Sequence, residues 1–271
     1  MNTVVLTVHN KESTIRRILA LLHKSTSKLT TTVILILDGC TDNTEKIVSE
    51  FVYGNSISKH QWLIVKTDDI WETMANNIGL RMAQTKFVTI VQDDMLLKEK
   101  NWDIKLIECM EAENIFAVTG RTAHSFQITS GVFEVTDPIG REYPAGRRNI
   151  VGRGIGRIMR IFKPYWIFQY CSHLNKRPVA NRGPLMISTA KLKGLGYLDE
   201  GFAPFELDDV DLCCRAFKEY GLLSASKPIY YEEINGSKQT NEASSIRSKQ
   251  AIKKNTLLLI EKNFNVPTNE N

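Results

Sequence analysis

The sequence lacks the features that would place it across a membrane or in a disulfide scaffold. No stretch of its 271 residues approaches the roughly 20 consecutive apolar residues that a bilayer-spanning helix needs. Cysteine occurs five times (Cys40, Cys109, Cys171, Cys213, Cys214), an odd number with no CxxC spacing. That argues against a disulfide framework or a zinc site and for a reducing compartment. Met1 runs straight into the strand-like TVVLTV, with neither a basic region ahead of an apolar segment nor a cleavage signature. A cytoplasmic protein is expected, or one lying on a membrane from the cytoplasmic side. Internal repeats are lacking too, and nothing but the last few residues is of low complexity.

What remains is an ordinary globular composition, 42% hydrophobic and 24% charged, sufficient to bury one large core. The net charge of +5 is mildly basic. It suits phosphate-bearing ligands or an anionic surface, and no nucleic-acid partner is expected.

Over residues 1–120, short β-branched runs at 3–8, 31–37, 62–66, 86–91 and 115–120 alternate with segments of helical spacing. Ile15, Ile18, Leu19 and Leu22 mark the first helix, with Asn10 or Ser13 available as its cap; Ile47, Val48 and Phe51 mark the second. Ile70, Met74, Ile78 and Met82, recurring every four residues, mark the third. Strand-helix alternation implies right-handed βαβ units and a mostly parallel sheet flanked by helices, with ligands at the carboxyl ends of the strands. From 121 to 182 the alternation gives way to an irregular basic and aromatic insertion. Over 183–271 it resumes: a strand at 183–188, a short helix with Leu192 and Leu195, a helix from Asp208 to Tyr220, a strand from Ser226 to Tyr231, and a long C-terminal helix ending near Lys262. Gly39 fits a tight turn after the second strand, and Cys213 and Cys214 fit the core.

Acidic pairs are common in this chain, five in all, where chance gives roughly three. Asp93-Asp94 differs by position, because FVTIVQDD ends an apolar strand on two carboxylates that repel each other and resist burial. A solvated strand-to-helix turn would explain them. So would Mg²⁺ or Mn²⁺, which uses one or two protein carboxylates together with substrate phosphates. A second cluster, ELDDVDL at 206–212, opens a helix whose partially positive N-terminus favours ionised carboxylates; helix capping and a catalytic base are both open readings of it.

In order and spacing, TVHNKE, LDGCTDNT, ANNIGLRMA, KFVTIVQDD and GYLDEGFAPFELDDVDLCCRA together resemble the family 2 glycosyltransferases of the GT-A fold. The resemblance spans the chain apart from 121–182. It implies one Rossmann-like α/β domain: a nucleotide-sugar-binding half (1–120), the insertion, and an acceptor-binding half with the C-terminal helix (183–271). It places Val8, His9, Glu12, Asp38 and Asn77 around the nucleotide, with Gln92 and Asp93 beside them, and Asp94 on a Mn²⁺ or Mg²⁺ ion. By motif position Asp209 would be the base, with Asp208 holding the acceptor or the base in place and Glu206 toward the acceptor. Arg182, just before the 183–188 strand, is expected nearer the acceptor cleft, where it would meet an anionic acceptor or else pair with a surface acid. The implied activity is inverting transfer from a nucleotide sugar, a UDP-sugar first, to a glycan or glycolipid hydroxyl. Departures from the family pattern are His9 for an aromatic residue, Leu37 for an acid, Gln92 for the first acid of the DxD element, and no histidine after His173. Glu232 or Glu233 would stand in for a histidine metal ligand.

Two other classes compete. A nucleotidyltransferase would need a Gly-rich phosphate loop after the first strand, which TVHNKES lacks; a catalytically silent nucleotide-sugar or glycan-binding module would not need both acidic clusters. The basic stretch with Arg147, Arg148, Arg153, Arg157 and Arg160 has four further readings: peripheral contact with an anionic membrane, binding of a lipid-diphosphate acceptor, closure over the nucleotide diphosphate, or a helix packed on the core with a solvated basic face.

Overall fold

The β-branched runs pair directly with one another. In the computed structural model, which describes residues 1–54, 59–121, 125–129, 132–136, 174–177, 179–234 and 242–264, β1 (Asn2–Val8), β2 (Thr30–Asp38), β3 (Gln61–Thr67) and β4 (Phe87–Val91) lie parallel. The main sheet has eight strands. Its order is β3-β2-β1-β4-β10-β6-β11-β9, with β6 at Ala117–Thr119, β9 at Asn175–Arg177, β10 at Leu185–Ser188 and β11 at Ser224–Ser226. β10 runs antiparallel between β4 and β6, so strands from before and after the insertion share one sheet. A small ribbon pairs β5 (Met95–Leu97) with β12 (Tyr231–Glu233), and a hairpin pairs β7 (Ser125–Thr129) with β8 (Val132–Thr136).

Strand alternation sends side chains to two cores. Val4, Leu6, Val8, Val33, Leu35 and Leu37 face α1 (Ile15–Ser25), α2 (Thr44–Gly54) and α4 (Trp102–Ala112). Val5, Ile34 and Ile36 face α3 (Glu72–Met82), α5 (Thr189–Gly194) and α6 (Asp208–Tyr220). A parallel sheet covered on both faces needs these nearly continuous apolar strands. The long helix α7 (Glu242–Phe264) packs on α6 through Leu259, beside Phe202 and Val210. Among the described residues, no helix is long and apolar enough to cross a membrane.

Several sequence expectations are corrected. The four-residue recurrence in α3 catches only the border of the inward face: Ile70, Met74 and Ile78 are half-buried, Ile70 and Ile78 against the core, and Met82 is exposed, while Thr73, Ala75, Asn76, Asn77, Gly79 and Leu80 are buried. Their small or polar character hides them from a hydrophobic pattern. The strand from Ser226 to Tyr231 is instead two, β11 and β12, because Pro228 between them offers no N–H to a ladder. Neither Asn10 nor Ser13 caps α1; the Asn10 Oδ1 accepts from Thr41 N at 2.8 Å. Helix α4 fills the interval between the fourth and fifth strand-like runs, where no residues mark it in the sequence reading. It is anchored by a buried acid, Asp103, which accepts from Ser27 N (2.9 Å), Ser27 Oγ (2.7 Å) and Thr30 Oγ1 (2.8 Å). The five insertion arginines lie outside the described residues.

Gly79 lets α3 settle on β1, since a Cβ there would collide with the Val5 side chain. Gly79→Ala is expected to cost about 1–3 kcal/mol of unfolding free energy, measured in urea. A loss below about 0.5 kcal/mol would mean the helix has room to shift.

At the β3 edge His60 and His23 pack edge-to-face, 5.5 Å between centroids, beside Trp62. His60 Nδ1 donates to the Thr30 carbonyl at 2.7 Å, while its Nε2 is buried without a partner. Burial lowers both imidazole pKa values below the ordinary 6.5. The unfolded chain therefore takes up protons first as pH falls below about 6.5, and stability declines with acidification from there. Denaturation series between pH 5 and 7.5 should show that slope flatten in His60→Gln; an unchanged slope would remove His60 from the account.

Candidate active site

The chain's polar strand ends gather at one edge of the sheet. After β1, His9 Nδ1 donates to the Asp38 carbonyl at 2.6 Å, which leaves Nε2 to accept from the Asn10 amide at 3.1 Å. The buried Asp38 carboxylate accepts from Thr67 Oγ1 (2.7 Å), Ile70 N (2.8 Å) and Trp71 N (2.9 Å). It thereby holds a loop in which Asp69 and Trp71 have φ of +53° and +71°, a region bulky residues avoid. Gly39 at φ +54° makes the turn that brings this loop against β2. Trp71 is exposed and stacks on Phe205, 6.4 Å between centroids.

At the end of β4 the two adjacent carboxylates have different fates. Asp93 is tied back to the first strand's end, accepting from His9 N at 3.3 Å and pairing with Lys11 Nζ at 3.3 Å. Burial pushes its carboxyl up to about 6 against the pull of Lys11. Asp94 Oδ1 is buried with no hydrogen-bond partner, and so is Gln92 Oε1. Buried acceptors are normally satisfied. An all-oxygen pair left without donors suits a hard cation that completes its coordination with phosphate oxygens and water. Glu232 and Glu233, the proposed stand-ins for a histidine ligand, are instead paired with Lys98 and Arg121. Among the described residues no three His, Cys, Asp or Glu side chains converge on a metal position.

The second acidic cluster is organised by a buried cation. Arg182, 6% exposed, donates from Nη2 to Asp208 Oδ1 at 2.6 Å, and its Nη1 lies 3.1 Å from Glu72 Oε1. Asp208 is fully buried and also accepts from Thr73 Oγ1 at 2.8 Å and from Asp209 N at 2.9 Å. Burial raises the Asp208 carboxyl pKa, and the Arg182 guanidinium pulls it back. Asp209 Oδ2 accepts from Arg182 N at 2.9 Å and Oδ1 from Val210 N at 2.9 Å. These acids also serve the helix end, since the N–H groups of Asp209 and Val210 lie in the first turn of α6, although the N-cap itself is Leu207, at φ +67° and without a side-chain cap bond. The next residue, Gly183, approaches Gln92: a Cβ on it would stand 2.7 Å from Gln92 Oε1. Residues 182 and 183 thus join the two acidic clusters. Glu206 is exposed at the rim, and desolvation followed by the Asp209 charge raises its carboxyl pKa.

Several expected site residues have their side chains occupied. Asp208 is fully buried and Arg182 6% exposed, and the two pair with each other; of the two readings for each, the contacts match Asp208 holding Asp209 in place and Arg182 pairing with an acid. Asn77 was expected at the nucleotide. Its amide is taken up by Leu198 N, Leu198 O and Glu200 Oε1, which ties α3 to the 198–200 turn. Val8 has a fully buried side chain, so its backbone alone can face a ligand. Glu12 is exposed and accepts from Asn43 N and Nδ2. Lys11, Thr73 and Glu72 were missed. Lys11 carries a detectable signal as a basic residue directly after the first strand, whereas nothing local marks Thr73 or Glu72.

Removing one member of a buried ion pair strands the other. Asp208→Ala is therefore expected to lower stability by about 3–5 kcal/mol in denaturant titration. Arg81→Ala, which breaks the exposed pair with Glu200 (2.8 Å), is expected to cost under about 1 kcal/mol. Equal losses would show that the Arg182 cluster is not a fold-level constraint.

The fold is shared by solved structures. A mannosyltransferase from Pyrobaculum calidifontis, PcManGT, in complex with GDP-Man and Mn²⁺, superposes with a TM-score of 0.64 at 15% identity, covering 96% of this chain and 64% of that one. GalNAc-T7 with UDP, GalNAc and Mn²⁺ gives 0.64 at 12% identity, over 88% and 44%. S. aureus TarS 1-349 in complex with UDP gives 0.55 at 15% identity, over 97% and 66%. The chain thus spans about two thirds of the mannosyltransferase and less than half of GalNAc-T7. No curated protein matches it. The family model described as glycosyl transferase family 2 matches residues 3–166, more than half of the chain, and the protein belongs to that family.

Proposed function

We propose that this protein is an inverting, metal-dependent glycosyltransferase that moves a sugar from a nucleotide sugar, a UDP-sugar first, to a hydroxyl on a glycan or glycolipid. The observation that carries this reading is the junction at residues 182–183. Arg182 N holds the Asp209 carboxylate, and Gly183 presses on Gln92, two residues before the unpartnered Asp94 oxygen. Family membership and neighbours solved with GDP-Man or UDP and Mn²⁺ support it.

Each residue then has a task. His9 and the Asp38 loop border the nucleoside. Asp94 and Gln92 would hold a Mn²⁺ or Mg²⁺ ion, which supplies positive charge for a departing diphosphate. Asp209, oriented by two backbone N–H donors, takes the proton of the acceptor hydroxyl as its oxygen attacks the anomeric carbon from the face opposite the diphosphate. Asp208 and Arg182 fix Asp209 and touch no substrate. Glu206 borders the acceptor entrance. The chain is proposed to act in the cytoplasm or at the cytoplasmic face of a membrane.

Asp209→Asn and Asp94→Asn are each expected to lower transfer by about 10²-fold or more while leaving the fold intact. The assay is release of nucleoside diphosphate from a panel of nucleotide sugars with Mn²⁺, with and without EDTA. Near-wild-type turnover in Asp209→Asn would remove it as the base, and release of pyrophosphate would replace transfer with nucleotidyl chemistry.

A further inference from the structure

Where β4, β6 and β10 meet, three polar atoms are buried without hydrogen-bond partners: Gln92 Oε1, Asp94 Oδ1 and Arg121 Nε. Arg121 directly follows Gly120, whose backbone is locked in place. Gly120 N donates to the Pro184 carbonyl at 2.8 Å, and its own carbonyl accepts from Ile229 N at 2.9 Å. Arg121 N donates to Thr119 Oγ1 at 3.1 Å. The position that a Cβ on Gly183 would take lies 2.7 Å from Gln92 Oε1 and 2.9 Å from Arg121 Nε, so amide and guanidinium rest against the same glycine. Ile234 N donates to the Asp94 carbonyl at 2.7 Å, which keeps the end of β12 beside Asp94.

Among the described residues Arg121 has one ion pair, from Nη2 to Glu233 Oε1 at 3.2 Å. The Glu233 side chain is 53% exposed, so this pair is weakly held and easily exchanged. A buried guanidinium nitrogen without an acceptor is unfavourable in the free protein. Its geometry, a planar fork of donors beside a carboxylate that would bind a cation, fits an anion with several oxygens arriving at the same place.

We propose that Arg121 is a diphosphate-binding residue for the nucleotide-sugar donor, releasing Glu233 to take phosphate oxygens. The inference rests on the transferase reading above. It also gives the Gln92 departure a physical sense. An acid at 92 would lie next to Arg121 and neutralise it, whereas a neutral amide leaves the guanidinium charge available to the diphosphate. Part of the charge that a cation would otherwise balance is then carried by the protein.

The test is calorimetric titration of the full chain with UDP and UMP in Mn²⁺, with GDP and GMP as a parallel pair. R121A is expected to weaken the diphosphate by about 10- to 100-fold, the range for hydrogen bonds to charged groups, and to leave the monophosphate within about threefold, which also shows that the variant is folded. R121K should fall between wild type and R121A. E233Q, which removes the competing carboxylate, should tighten UDP by about two- to fivefold. A purely structural Arg121-Glu233 pair would instead make E233Q resemble R121A, and that result overturns the proposal. So does a UDP affinity in R121A within about threefold of wild type, or an equal loss for UMP. A wild-type chain that binds neither UDP nor GDP with Mn²⁺ overturns the transferase reading, and this proposal with it.

Discussion

The structure depends on one buried guanidinium. Arg182 lies among Asp208, Glu72 and Asp209, which come from two helices, while its own backbone leads into β10 at the centre of the sheet. The surrounding carboxylates, Asp208 foremost, outweigh the desolvation that would otherwise favour losing its charge. A charge of this kind is tolerated in an interior only when its partners are complete. Two of the partners are held further: Asp208 by Thr73 and the start of α6, Asp209 by the backbone of Arg182. This edge of the sheet is therefore bound by mutual constraints. Exposed pairs elsewhere, such as Arg16-Glu50 or Lys86-Glu111, have no comparable hold on the fold.

The same logic explains why helix α3 is unusual. A helix on a parallel sheet normally turns its most apolar stripe inward. Here the inward stripe carries Thr73, Asn76 and Asn77, because α3 bridges the first strand and the two later segments around 198–200 and 208. Asn76 accepts from Thr7 on β1, Asn77 binds the 198–200 turn, and Thr73 reaches Asp208. Gly79 then gives the close approach to β1 that larger side chains would prevent.

Much of the fold was readable in the sequence. The first four strands and helix α6 stand close to where β-branching and spacing put them, since apolar period and burial agree at those positions. The errors have physical causes. In α3 buried groups are polar, and apolar period reports the half-exposed face. In 226–231 a proline divides one apparent strand into two. For the candidate site, Asp94 and Asp209 stood out because acids at a strand end and a helix start are conspicuous. The contacts of Asp38, Asp208 and Arg182 could not be read, since their partners lie 26 to 135 residues away along the chain. Arg121 gave no local signal at all: a single arginine after a strand is ordinary until Gln92 and Gly183 are placed beside it.

The loop before α6 has a consequence in time as well as in space. Its carbonyls at Phe202, Phe205 and Glu206 all accept from one side-chain nitrogen, Asn255 Nδ2, at 2.6, 2.7 and 3.1 Å. Glu206 and Leu207 both hold positive φ there, a conformation that needs outside support. The loop that presents Asp209 therefore waits for a donor some 50 residues downstream, made later in synthesis. The conformation that presents Asp209 is thus complete only once the last described helix has docked.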